Sequence, residues 1–512
     1  MNMTRTTEIS QLINETPEGT DLLDTVDTLR RETSATLNME NRAELGQFMT
    51  PAVVARFMAS LFKKPKGGQT TLLDAGAGMG GLSAAFLERH VTQKIKGQVT
   101  VTAYEIDDSL REELARTLSG YQRRIKDFSV EIHAGDFIEE AVNRLQLGTG
   151  RQFSHAILNP PYRKINTDSI HRKLLRLVGI ETVNLYTAFV ALTLKLMHRG
   201  GEIVAIIPRS FCNGPYYRPF RKLLLESASI EQIHLFDSRT SVFSDDAVLQ
   251  ENIIIRLIVG GGQRDVVVSH SSDKTLSDLV EHRHSFASIV FPDDAERFIH
   301  IPQGAPQITT AGIPHAETTL ADLGLKVSTG PVVDFRLKDF LLTEPEKGSV
   351  PLLYANHFVK GELMWPREGK KANAIKNDPK TTKWLYPNNG FYTVLRRFSS
   401  KEEKRRVVAY IVDPKIFGKA TLLGLENHLN VFHLGRNGLE ESVARGLAVY
   451  LNSTAVDTYF RRFSGHTQVN ATDLRNLKYP SLAILKSLGK WAVRQPELSQ
   501  DLIDVKFPGY EG

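Results

Sequence analysis

The chain has 512 residues, 41% hydrophobic, 24% charged and 8% aromatic, an ordinary globular balance that predicts about two to four domains at roughly 150 residues each. Its single cysteine, Cys212, excludes an intramolecular disulfide and any cysteine-rich zinc or iron–sulfur site. No apolar run approaches the roughly 18 residues of a membrane span, the first residues lack the basic-then-apolar layout of a signal peptide, and a net charge of +6 names no partner; a cytoplasmic protein is expected.

Residues 1–45 are polar and contain DLLDTVDTLRRE, read as an N-terminal helical extension. From Gly46 the character changes. GQFMTPAVVARFMASLF predicts a helix with Pro51 in its first turn and Thr50 as N-cap. Val53, Val54, Phe57, Met58, Leu61 and Phe62 would lie on its apolar face. The short apolar runs TLLDAGA, VTAYEI, VEIHAGDF, HAILNPPY and GEIVAIIP then alternate with GLSAAFLERH, DSLREELARTLSGY and LYTAFVALTLKLMHRG, which have helical length and period. Such alternation predicts a doubly wound α/β fold, its parallel sheet covered on both faces. IEQIHLFD and NIIIRLIVG are separated by the 13 residues Ser238 to Gln250 without a helical period, which suits an antiparallel hairpin. The first domain is therefore expected over residues 46–262, a seven-stranded Rossmann-like sheet with an antiparallel last strand.

Over 263–314 the periodicity fades into a connector with some local structure. A second, α+β domain is expected over 315–485, with strands in FYTVLRRFS and LNVFHLG and a helix in GLEESVARGLAVYLNSTAVDTYFRRF; 486–512 reads as a helical or loose tail. Between Pro351 and Pro480 stand 21 lysines and arginines against 11 acidic residues, so this segment is ten charges positive and the rest of the chain four negative. It also carries Trp365, Trp384, Tyr386, Phe391, Tyr392 and Phe398. Basic and aromatic residues together suit phosphate neutralisation and base stacking. A solvated basic surface over an ordinary core has the same composition.

After the first strand, Gly76, Gly78 and Gly81 satisfy G-x-G-x-x-G, and Glu105 follows 24 residues later at the end of the second. Glycines allow a tight turn and close approach to a ligand, and an acid there can bind ribose hydroxyls. That pattern fits a nicotinamide dehydrogenase and an S-adenosylmethionine enzyme equally. The fourth strand separates them. It ends in Asn159-Pro160-Pro161-Tyr162, at the edge where an open α/β sheet places its ligand. The prolines fix φ and lack N–H donors, so the Asn159 amide oxygen and the Pro160 carbonyl form a rigid pair of acceptors. Such a pair, with an aromatic ring beyond it, suits a planar amine; a plain proline turn is the bland alternative.

The Thr-Pro helix, glycine loop, YEID, GDF, NPPY and NLYTAF, in this order, resemble the amino-methyltransferases that modify N6 of adenine in DNA. The cofactor motifs precede the catalytic motif and the recognition region comes last, as in the gamma class of type II restriction-modification methyltransferases (a TaqI-type, PstI/BsuBI-like layout). VPLLYANHFVKGELMW and AVYLNSTAVDTYFRRFSGHTQVNATDLRNLKYP resemble that family's C-terminal domain.

The resemblance implies S-adenosylmethionine as methyl donor, double-stranded DNA as substrate and no metal. Thr50, Asp74, Gly76 and Gly78 would lie at the cofactor's methionine end, Glu105 at its ribose, and Ile106, Asp136 and Phe137 around its adenine, with Phe189 closing the pocket. Ile106, Phe137 and Phe189 also suit a plain core, and Asp136 a turn cap. Asn159 and Pro160 would accept from the target amine, Pro161 would stiffen the turn, and Tyr162 and Phe243 would stack on the flipped base. Arg396, Arg397, Lys401, Lys404, Arg405 and Arg406 are the candidate DNA contacts. A monomer or weak dimer is expected, paired with a separate restriction endonuclease, since 45 leading residues are too few for a nuclease domain. The rivals are an amino-methyltransferase for a protein glutamine or an rRNA guanine, a modification subunit of a multi-subunit restriction complex, and a silent DNA-binding subunit; an intact NPPY opposes the last.

Overall fold

A computed structural model describes residues 22–36, 49–64, 68–149, 152–236, 251–292, 294–302, 313, 315–359, 361–399, 403–464 and 468–507. The chain divides into two compact units, 1–306 and 307–512.

The first unit is built on β1 (Thr70–Ala75), β2 (Val99–Tyr104), β3 (Phe128–His133), β4 (Phe153–Leu158), β5 (Met197–Pro208), β6 (Ala228–Phe236) and β7 (Asn252–Val259), the seven strands that the apolar runs predict. β7 inserts antiparallel between β5 and β6. The sheet does not stop there. β8 (Val266–Ser271) pairs parallel to β6, and β9 (Val280–His284) antiparallel to β8, giving nine strands in the order β3-β2-β1-β4-β5-β7-β6-β8-β9. Seven strands is thus corrected to nine, and part of the stretch read as connector belongs to the sheet. Its short runs VVVSHS and VEHRH are interrupted by polar residues, which hid them in the sequence.

Helices α1 (Leu22–Thr36), α2 (Ala52–Ser60), α3 (Gly81–Thr92) and α4 (Asp108–Gln122) contribute to a core with Leu72, Ile157, Val204 and Ile206. Helices α5 (Phe137–Gln146), α6 (Ile170–Leu177), α7 (Leu185–Leu196) and α8 (Arg218–Ser227) contribute to another with Leu73, Ala156, Leu158 and Ile203. Alternate residues of the same strands thus feed opposite layers, the reason the strands read as unbroken apolar runs. α7 ends four residues earlier than its apolar pattern suggests, because Met197 to Gly200 already belong to β5.

The second unit holds an antiparallel sheet of Lys326–Thr329, Leu429–His433, Tyr392–Arg396 and Ala409–Val412 in that spatial order. Among the described residues a second sheet is made of five short strands, and five helices lie between Glu441 and Lys506. The long helix expected after Gly438 is two, Glu441–Leu451 and Thr454–Phe463. Asn452 breaks it by bonding both backbone groups of Ala409, and Ser453 caps the second half. Residues 482–493 form a helix whose backbone touches the first: a Cβ on Gly446 would sit 1.9 Å from the Leu485 carbonyl oxygen, and one on Gly489 1.8 Å from that of Ser442. Glycine alone permits this approach, and the segment read as the start of a tail is packed core.

Candidate functional site

β1 and β4 are hydrogen-bonded neighbours, and the chain leaves them in opposite directions across the sheet, so their C-terminal ends flank a switch-point crevice. The loop after β1 turns on Gly76, Gly78 and Gly80 with φ of +78°, +56° and +84°, while Gly81 opens α3 with an ordinary φ. The third left-handed glycine is therefore Gly80 and not Gly81. The Gly76 and Ala77 N–H groups donate to the Tyr104 carbonyl oxygen (3.0 and 2.9 Å), and the Gly78 N–H donates to Glu105 Oε2 (2.8 Å). Glu105 also accepts the Asp107 N–H at 2.8 Å, and burial raises its pKa.

Across the crevice, the position of a Gly76 Cβ lies 3.7 Å from the Phe189 ring, 3.9 Å from Pro161 Cδ and 4.0 Å from the Asn159 main-chain oxygen. The glycine loop and the NPPY tip thus meet. Residues 163–165 are fastened to the start of α7 by Leu185 N–H to Arg163 O and Ile165 N–H to Val183 O, both 2.8 Å. The Asn159 side chain is held at both ends. Its Nδ2 donates to Thr50 Oγ1 (3.0 Å), and the Tyr162 hydroxyl shares its proton between Asn159 Oδ1 (3.0 Å) and the Ile206 carbonyl oxygen on β5 (3.1 Å).

Together these groups enclose a cavity of about 280 Å³. Of the residues expected around a cofactor, Thr50, Gly76, Gly78, Glu105, Ile106, Asp136, Phe137 and Phe189 line it, joined by Asn159 and Pro161. Ile106 is 59% exposed, so it is no core residue, whereas Phe137 and Phe189 are buried with their rings tilted against each other at 4.9 Å. Tyr162 and the buried Pro160 stand outside the lining, and Phe243 lies outside the described residues.

Two expectations are corrected and a third is extended. Asp74 does not line the cavity: it is 0% exposed beneath the loop, where Ser83 Oγ donates to its Oδ2 (2.6 Å), and burial pushes its pKa up to about 7. Strand alternation directs it toward Ser83 of α3. Thr50 is not the helix cap. Pro51 occupies that position, the Asp27 carboxylate of α1 accepts the Ala52 N–H (3.0 Å), and the Thr50 hydroxyl is left to hold Asn159. Asp136 is a cap and more: Oδ1 accepts from the Ile138 and Glu139 N–H groups, while Oδ2 lies 3.0 Å from His171 Nε2. Burial pushes Asp136 up, but His171 and the two N–H groups outweigh it and hold the carboxyl below its ordinary value; the Asp136 hydrogen bond raises His171.

His171, Arg163 and, from α1, Leu23, Val26, Asp27 and Arg30 are also among the lining residues. The α1 residues carry no sequence signal because that helix reaches the site through a tertiary contact that no motif records.

The lining fits an adenosine-bearing methyl donor. Two carboxylates, Glu105 and Asp136, stand beside an aromatic wall of Phe137 and Phe189, and the glycine backbone leaves room before Asn159. Of the DNA candidates, Arg406 is corrected: it is 2% exposed, lies over the Phe460 ring and donates to the Ser464 carbonyl oxygen. Arg405 is half-buried and donates to the Ser453 carbonyl oxygen; Arg396 pairs with Glu403 at 3.5 Å. Arg397 is half-buried, Lys404 exposed, and Lys401 outside the described residues.

The sequence profile of the Eco57I restriction-modification methylases matches residues 70–243. The chain is 50% identical to the type II methyltransferase M.BsuBI of Bacillus subtilis, covering 95% of this chain and 98% of that one. It is 42% identical to the type II methyltransferase M.PstI of Providencia stuartii, covering 94% and 95%. The structure of the type IIL restriction-modification enzyme MmeI in complex with DNA superposes with a TM-score of 0.50 over 95% of this chain and 72% of that one, at 11% identity, a likeness of fold. Among the described residues no helix is long and apolar enough to cross a membrane. This chain belongs to the type II methyltransferases of restriction-modification, DNA methyltransferases whose methyl donor is S-adenosylmethionine.

Proposed function

We propose that the chain methylates N6 of an adenine flipped out of double-stranded DNA, and so protects the sites of a separate restriction endonuclease, acting as a monomer or weak dimer. The observation that carries this reading is the Asn159 amide, clamped between Thr50 and Tyr162 where NPPY meets the glycine loop. Near full-length likeness to type II methyltransferases favours it over a glutamine, guanine or multi-subunit role for the same motif.

S-adenosylmethionine supplies, when bound, an electrophilic methyl carbon on its sulfonium. The residues of the chain prepare the nucleophile. The exocyclic nitrogen of adenine is weak because its lone pair is delocalised into the ring. Asn159 Oδ1 and the Pro160 carbonyl accept its two N–H bonds, draw electron density onto nitrogen and orient the lone pair toward the cofactor cavity. The Tyr162 hydroxyl and Thr50 hold the amide for that task before substrate arrives.

Flipping costs a few kcal/mol, and stacking on the Tyr162 ring returns roughly 1–3 kcal/mol. Basic residues of the second unit, with Lys404 and Arg397 as the foremost candidates, supply phosphate contacts toward the remainder.

Incubation with isotopically labelled S-adenosylmethionine and plasmid DNA, followed by digestion to nucleosides, tests the reading. N6-methyladenine at one recurring site is expected; label in N4-methylcytosine would overturn the choice of base. Asn159→Ala should keep cofactor and DNA binding while losing about a hundredfold or more in methyl transfer, and unchanged turnover would remove the catalytic assignment.

A further inference from the structure

The residues of α1 that line the cavity are Leu23, Val26, Asp27 and Arg30, spaced i, i+3, i+4 and i+7 along one helix face. That face is divided. Its first half is apolar and its second half charged. The apolar end lies toward α4, since neighbouring Leu22 comes within 3.1 Å of where a Gly120 Cβ would be. The charged end lies toward the Thr-Pro turn, since Asp27 Oδ1 accepts the Ala52 N–H at 3.0 Å, two residues beyond the Thr50 that holds Asn159. One helix thus gives the cavity, which Ile106 and Leu110 also line, an apolar stretch and a charged one, the charged one on the side of the Thr-Pro turn.

S-adenosylmethionine has matching halves: a purine nucleoside, and an amino acid bearing a carboxylate. Arg30 is 5% exposed, and its Nε donates to Asp27 Oδ1 at 2.8 Å. Asp27 is also bonded by the exposed Arg31 at 2.8 Å and by the Ala52 N–H, so its position is over-determined and Arg30 is aimed by a fixed partner. A guanidinium is the side chain whose geometry matches a carboxylate.

We propose that Arg30 binds the carboxylate of the cofactor's amino-acid end, with Asp27 as its positioning residue. The N-terminal helix is then a working wall of the cofactor site, not an appendage to the catalytic domain. The inference rests on reading this cavity as the S-adenosylmethionine site, and the experiment separates the two.

Isothermal titration of the full chain compares S-adenosylmethionine, decarboxylated S-adenosylmethionine and 5′-methylthioadenosine, which lacks the amino acid. Arg30→Gln should weaken S-adenosylmethionine by about tenfold or more while leaving 5′-methylthioadenosine within about twofold, and the wild-type preference over the decarboxylated analogue should largely disappear. Arg30→Lys, keeping the charge without the fork, should fall between. It carries the same comparison if Arg30→Gln fails to fold. Equal weakening of all three ligands would mean that α1 merely closes the cavity, and undiminished S-adenosylmethionine binding would mean that Arg30 does not touch it; either overturns the proposal. Binding of 5′-methylthioadenosine with no preference for S-adenosylmethionine in the wild type overturns the carboxylate clamp alone. Failure of the wild type to bind any of the three refutes the cavity reading, and the clamp with it.

Discussion

Replacing Tyr162 with phenylalanine removes one oxygen from the catalytic corner and leaves the ring in place. That oxygen sits 3.0 Å from Asn159 Oδ1 and 3.1 Å from the Ile206 carbonyl oxygen, one proton shared between two acceptors. A neutral hydrogen bond of this kind contributes about 0.5–1.5 kcal/mol net, a factor of roughly two to thirteen. Asn159 keeps its bond to Thr50 Oγ1 at 3.0 Å, so the amide is loosened at one end and not released. Single-turnover methyl transfer with saturating cofactor should therefore fall by about two- to tenfold, with DNA affinity unchanged because the stacking face remains. Tyr162→Ala removes the ring as well and should cost a further 1–3 kcal/mol or so in capture of the flipped base, read from the fluorescence of 2-aminopurine placed at the target position. A Tyr162→Phe rate equal to wild type would mean that the hydroxyl does not hold Asn159. A loss beyond about a hundredfold, well past the hydrogen-bond range, would mean that it takes part in proton transfer.

The Asp136–His171 pair carries a pH signature. His171 is raised by Asp136, so its contribution to stability is fully present below the ordinary histidine value of about 6.5 and lost as pH rises through the higher folded value. Asp136 is depressed, so its contribution holds above the unfolded value of about 3.9 and disappears only as pH falls through the folded one. The thermal midpoint difference between wild type and His171→Asn should be largest at about pH 5–6 and shrink toward pH 8; a flat difference would mean that the pair is not ionic. Gly489→Ala puts a methyl 1.8 Å from the Ser442 carbonyl oxygen and should destabilise by about 1–3 kcal/mol or more, seen as a lower thermal midpoint. DNA binding should weaken steeply with salt, and Lys404→Ala should reduce the slope of log affinity against log salt by about one. Arg406→Ala should lower stability and leave that slope alone, because its guanidinium serves the Ser464 carbonyl oxygen.

The chemistry of this protein was legible before its structure because it is local in the chain. Asn159-Pro160-Pro161-Tyr162 and the glycine turn after β1 are runs of a few residues whose backbone demands are met by particular amino acids, and seven strands announce themselves by short runs rich in apolar residues. What tertiary structure decided is which groups meet across distance. Thr50 looks like a helix cap until Asp27, 25 residues upstream of Ala52, takes the first N–H of that helix and frees the hydroxyl for Asn159. Asp74 and Arg406 belong to motif or charge run by sequence, yet burial turns one toward Ser83 and the other toward Ser464. β8 and β9 lie in a stretch interrupted by polar residues, and exist as strands because β6 offers its edge to β8 and β8 its own to β9. Short-range backbone geometry is encoded residue by residue, whereas the partner of a buried polar side chain is set by the packing of the whole domain.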